Sequence, residues 1–158
     1  MKTGRILATV AFLAGAASLS AQTATQSVTF QVDAINQIAL AGSPSLVINT
    51  ASAGSNPTQA TAAATWAVTT NQSGAKITAS INSAMPAGLT LQVNLSAPAG
   101  GSSAGAQTLS TTAVDVVTSI TKLAQSGIAV AYSLDATPAA GVVSSTSRTV
   151  TYTITGGV

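Results

Sequence analysis

The chain has 158 residues, of which five are Lys or Arg and three are acidic, with no His and no Cys. That inventory excludes disulfide staples, thiol nucleophiles, imidazole bases and the usual transition-metal ligand sets. It leaves too few cations for a phosphate-binding patch, so no nucleic acid is expected as a partner.

Lys2 and Arg5 precede an apolar run over residues 6–17, shorter than the roughly 20 residues a bilayer span needs. Ser18-Leu19-Ser20-Ala21 follows, and the pattern predicts a secretory signal peptide over residues 1–21, cut after Ala21 despite the bulky Leu19. Processing behind Gly4, in the manner of type IV pilins, is the weaker reading, because the Phe and Glu expected after such a cut are missing. Residues 22–158 then form one β-sandwich domain, secreted to the extracellular space or cell surface, with no membrane contact after cleavage. Within it Lys76, Lys122 and Arg148 balance Asp33, Asp115 and Asp135. A surface near zero net charge, made polar by Ser, Thr, Asn and Gln, favours association over dispersal.

Along the chain, apolar residues recur with the period of two that marks a half-buried strand. Val28, Phe30, Val32 and Ala34 share one parity, which continues through Ile38 and Leu40. Leu46 to Ile48 is a short apolar run, and residues 58–64 are a low-complexity stretch, either a loop or a weakly pinned strand. Trp66 and Val68, then Ile77, Ala79 and Ile81, then Leu89, Leu91, Val93 and Leu95 alternate with polar or small residues. Val114, Val116 and Ile120 are less regular. Residues 111–125 also fit helical spacing, but Val, Thr and Ile are stiff at χ1 and favour a strand. Ile128, Val130, Tyr132 and Leu134, and finally Val150, Tyr152 and Ile154, complete the series. Turn signals stand at residues 41–44, 52–57, 71–74, 85–88, 98–105, 126–127 and 138–141. The fold class expected is all-β: an Ig-like or jelly-roll antiparallel sandwich of seven to eight strands.

The residues point away from catalysis. No Glu is present, and without His a serine nucleophile lacks its usual base. No enzyme activity, cofactor or metal site is expected. Asp33, Asp115 and Asp135 lack calcium-loop spacing. An isopeptide bond from Lys76 or Lys122 needs a buried neighbouring acid, so solvated lysines are the expected reading, and Trp66 in an alternating run reads as core rather than as a sugar platform. Asn71-Gln72-Ser73 and Asn94-Leu95-Ser96 fit the N-glycosylation triplet.

The two ends of the domain carry the functional expectation. An alternating segment near the start of the domain, tethered at one end, can leave its own sheet and add to another copy. Repeated head to tail, that contact makes an open filament. Residues 22–40 are the candidate donor stretch, with Val28, Phe30, Val32 and Ala34 as anchors. Val150, Tyr152 and Ile154 mark a candidate acceptor edge, guarded only by Arg148. With its signal, "SVTFQVDAINQIAL" and the closing "RTVTYTIT", the chain resembles secreted β-sandwich fibre and pilus subunits, the fimbrial and spore-coat-U type or the TasA-like and archaeal bundling-pilus type. It lacks the cysteines usual in fimbrial and spore-coat subunits, which turns the resemblance towards the cysteine-free groups. The resemblance implies a structural subunit of an extracellular filament, pilus or surface matrix, whose partners are other copies of itself. The alternative is a secreted single-chain module for adhesion or carbohydrate binding, with surface glycans as partners.

Overall fold

The structure, a computed structural model, describes residues 21–157. The expected signal peptide, apart from Ala21, lies outside the described residues. The chain divides between Val32 and Asp33 into two units. The second holds seven strands: β1 (Asn36–Ala41), β2 (Ala60–Ile81), β3 (Leu89–Leu95), β4 (Ser102–Ser103), β5 (Gln107–Thr108), β6 (Val114–Ala136) and β7 (Val150–Thr155). All pairings are antiparallel and link one sheet. The all-β class and the strand number agree with expectation.

Two long strands organise this sheet. β2 and β6 pair along most of their lengths. The first half of β2 carries β1 on its outer side, and the second half carries β7. The later half of β6 pairs with β3, and its earlier half with β4. Between the halves the register slips repeatedly, from Trp66 to Thr78. Slips of this kind add residues to one strand and bend it. Ser119 and Lys122 sit at positive φ, 61° and 39°, beside this bend.

Inward residues of both halves form a single core cluster. Trp66, Ile77, Leu95, Ile120 and Val130 are among its most deeply buried members. Tyr132 on β6 and Tyr152 on β7 belong to strands that do not pair, yet their hydroxyls meet at 2.7 Å. The two halves therefore share one core within a single sheet, continuous through β2 and β6, an all-β arrangement consistent with a sandwich-like fold.

Several local expectations need correction. Residues 126–127 do not end a strand, because β6 runs through them. Gly127 at φ 68° allows a bulge there, shifting the register between Trp66–Ile128 and Val68–Gln125. Residues 71–74 likewise lie inside β2, at its corner. The low-complexity stretch supplies the start of β2, with Ala60 to Trp66 matched one for one against Leu134 to Ile128. The Leu46–Ile48 run forms no strand. The irregularity at Val114–Ile120 is a bulge that leaves Val116 and Val117 both fully buried. Residues 111–125 hold no helix, as the β-branched content indicated.

Candidate assembly edges

The alternation that begins at Val28 divides at Ile35. Residues 36–40, counted in the candidate donor stretch, belong to β1 and pair with β2 in their own sheet. Residues 21–35 form no strand and are exposed throughout. Val28 is 76% exposed, Phe30 89% and Val32 76%. Ala34 lies just beyond them, exposed, in the second unit. Apolar side chains that share one parity and all face water are unusual on a soluble surface.

β7 holds the opposite candidates. Val150, Tyr152 and Ile154 are half-buried and packed against the core, while Thr151, Thr153 and Thr155 face solvent. β7 pairs with β2 alone, so its other side is a sheet edge. The expected guard is engaged elsewhere: Arg148 donates from Nε and Nη2 to the Ala84 carbonyl, at 3.2 and 3.0 Å. No charged residue stands on β7 itself. The margin opposite differs, since β4 and β5 are two residues each, too short to template a partner. The segment reads Val28-Thr29-Phe30-Gln31-Val32 and β7 reads Val150-Thr151-Tyr152-Thr153-Ile154, the same alternation around an aromatic ring.

The corner of β2 holds both ends of the domain. Asn71 receives Ile35 N on Oδ1 at 2.8 Å, donates from Nδ2 to the Asp33 carbonyl at 2.7 Å, and donates from its backbone N to the Ile35 carbonyl at 3.2 Å. Its side chain thus does for residues 33–35 what a neighbouring strand does. Thr70 donates to Asn36 Oδ1 at 2.7 Å, and Asn36 Nδ2 donates to Gln72 Oε1 at 2.6 Å. Gly156 lies against the Gln72 and Asn36 side chains, whose ends would have to shift to admit a Cβ. In the sequence Asn71 stands in a turn signal and a glycosylation triplet; nothing there reveals that its amide is already committed. Asn94, in the second triplet, is exposed on β3.

The remaining candidates serve the fold. Trp66 is 1% exposed, with its indole N–H unpartnered. Lys76 meets Asp115 at 3.0 Å on the surface, and Asp135 accepts from Gln59 at 2.8 Å. Burial raises the pKa of both Tyr132 and Tyr152, and for Tyr152 the bond to Tyr132 adds to the rise. No three acidic side chains gather among the described residues.

The chain matches no family model, no curated protein and no solved structure.

Proposed function

We propose that this protein is a structural subunit of an extracellular filament, pilus or surface matrix, assembled by donation of a β-strand between copies. The observation that carries the reading is the exposed row Val28, Phe30 and Val32 on a segment that forms no strand, in a protein whose β7 edge is uncharged. Adding the segment to such an edge removes both exposures at once, through backbone hydrogen bonds and apolar burial. The reading includes export by the signal peptide and no catalysis. A single-chain carbohydrate-binding module has less support. Trp66 and Tyr132 are buried and Tyr152 is half-buried, which leaves Phe30 as the exposed aromatic ring among the described residues.

Negative-stain microscopy and size-exclusion chromatography of the mature protein, with and without residues 22–32, test the proposal. Filaments or oligomers that disappear with the deletion are expected. A stable monomer in both forms overturns it.

A further inference from the structure

This inference rests on the strand-donation reading and concerns how the segment is aimed. β1 runs away from the corner of β2, with Asn36 opposite Thr70 and Ala41 opposite Thr65. β7 runs towards it, with Val150 opposite Ile81 and Thr155 opposite Lys76. The start of β1 and the end of β7 therefore meet at one corner, where Gly156 packs on Asn36. Continued upstream of Asn36, the β1 register reaches the stretch of β2 from Lys76 onward, and β7 already occupies it. Extended in that register, Val28 and Phe30 would meet a part of β2 that β7 already pairs with.

Its own β7 edge is reachable in one orientation only. The segment's root and the end of β7 share the corner, so a segment lying along β7 would run parallel to it. It would also have to step sideways past β7 at residues 33–35, of which Asn71 holds Asp33 and Ile35. Every pairing in this sheet is antiparallel. Antiparallel addition to β7 needs a root beside Val150, at the far end of the strand, and only another copy can supply one.

We propose that Asn71 is a positioning residue that directs the segment outward, to lie antiparallel on β7 of a second copy with Phe30 opposite Tyr152. Val28 then stands opposite Ile154 and Val32 opposite Val150. Three apolar residues extend the half-buried row of β7, and Thr29 and Gln31 fall opposite Thr153 and Thr151 on the solvent side. Because each copy emits its strand at one end of β7 and receives at the other, the contact is heterologous and propagates.

A chain without cysteine allows a direct test, since directly opposite residues on antiparallel strands bring Cβ atoms near disulfide distance. In the full chain, the pair Thr29→Cys with Thr153→Cys should give, on oxidation, a ladder of covalent multimers on a non-reducing gel. The pair Thr29→Cys with Thr151→Cys reports parallel pairing within one chain and should stay uncrosslinked. An intramolecular disulfide through that second pair overturns the proposal. Filaments crosslinked by neither pair overturn the β7 register while leaving strand donation intact, and absence of any assembly sinks strand donation itself. Asn71→Ala, which removes two of the root's hydrogen bonds, should cut the ladder yield about tenfold while the monomer keeps its strand spectrum. An unchanged ladder overturns the role of Asn71. Should Asn71→Ala not fold, Asn71→Ser takes its place, and failure of both to fold assigns Asn71 to the fold and overturns its positioning role.

Discussion

The segment around Phe30 and the strand around Tyr152 are nearly the same sentence in amino acids, yet they meet opposite fates. β7 is paired along all six residues and turns Val150, Tyr152 and Ile154 to the core. The segment forms no strand and turns Val28, Phe30 and Val32 to water. Alternation thus encodes which side of a strand is apolar, and says nothing of which sheet receives it. Within one copy β2 offers a single outer edge beyond its corner, and β7 fills it.

Removing each region in turn separates them most sharply. Deleting residues 149–158 takes away β7 and uncovers Ile77, Ala79 and Ile81, all nearly or fully buried. That deletion should abolish the cooperative melt seen by circular dichroism. Deleting residues 22–32 leaves every strand and the Asn71 bonds to residues 33 and 35 in place, and should leave the monomer's melting temperature unchanged within about 2 °C while ending assembly. Matched alanines give a smaller version of the contrast. Tyr152→Ala should destabilise the monomer by about 3 kcal/mol in urea titration, as large-to-small changes at packed sites do. Phe30→Ala should cost the monomer almost nothing and weaken only the association, read by sedimentation.

How far the sequence discloses this follows from the same contrast. Faces were legible on three strands: Leu91, Val93 and Leu95 on β3, Ile77, Ala79 and Ile81 on β2, and Val150, Tyr152 and Ile154 on β7 point as their parity predicts, whereas Leu40 on β1 shares the predicted apolar parity and is 42% exposed. The strand at residues 114–120 was legible from its β-branched residues, although its bulge at Val116–Val117 was not. Corners were misread. A Gly with positive φ serves a turn and a bulge alike, so Gly74 and Gly127 looked like strand ends when β2 and β6 pass through them. The assembly edges were legible as a pair of patterns. The bracket at Asn71 was not, because its bonds reach across 36 and 38 residues to backbone groups of Ile35 and Asp33 that carry no side-chain signal.

The tyrosine pair offers a pH-dependent difference between the two regions, since Tyr152 has a buried hydroxyl partner and Phe30 has no hydroxyl. Burial raises both tyrosine pKa values above the ordinary 10.0, so the folded state favours the neutral phenols. A raised acid contributes stability that is complete below its unfolded pKa and is lost as pH rises through the folded one. The melting temperature should therefore hold level up to about pH 10 and fall above it. Tyr152→Phe leaves the Tyr132 hydroxyl without its partner, which should lower stability at neutral pH by about 1 kcal/mol and shallow the alkaline fall. A steeper fall in the variant would show that some other group titrates.

The smallest expected effect lies at the foot of β7, where Lys76 stands opposite Thr155 and pairs with Asp115 across to β6. Both side chains are 45% exposed, so water and salt screen the pair, and such surface bridges contribute about 0–1 kcal/mol. Lys76→Met should shift the urea midpoint only slightly, and the shift should vanish in 1 M salt. Its effect on assembly should have the opposite sign. Lys76 lies on β2, one strand in from the β7 edge and opposite Thr155 at its end, and a charge beside an edge opposes the docking of an apolar strand there. Replacing it should leave the monomer almost as stable while lowering the concentration at which copies associate. A substitution that strengthens association without strengthening the fold would place the incoming strand at β7; equal changes in both would mean that Lys76 serves only the subunit's own sheet.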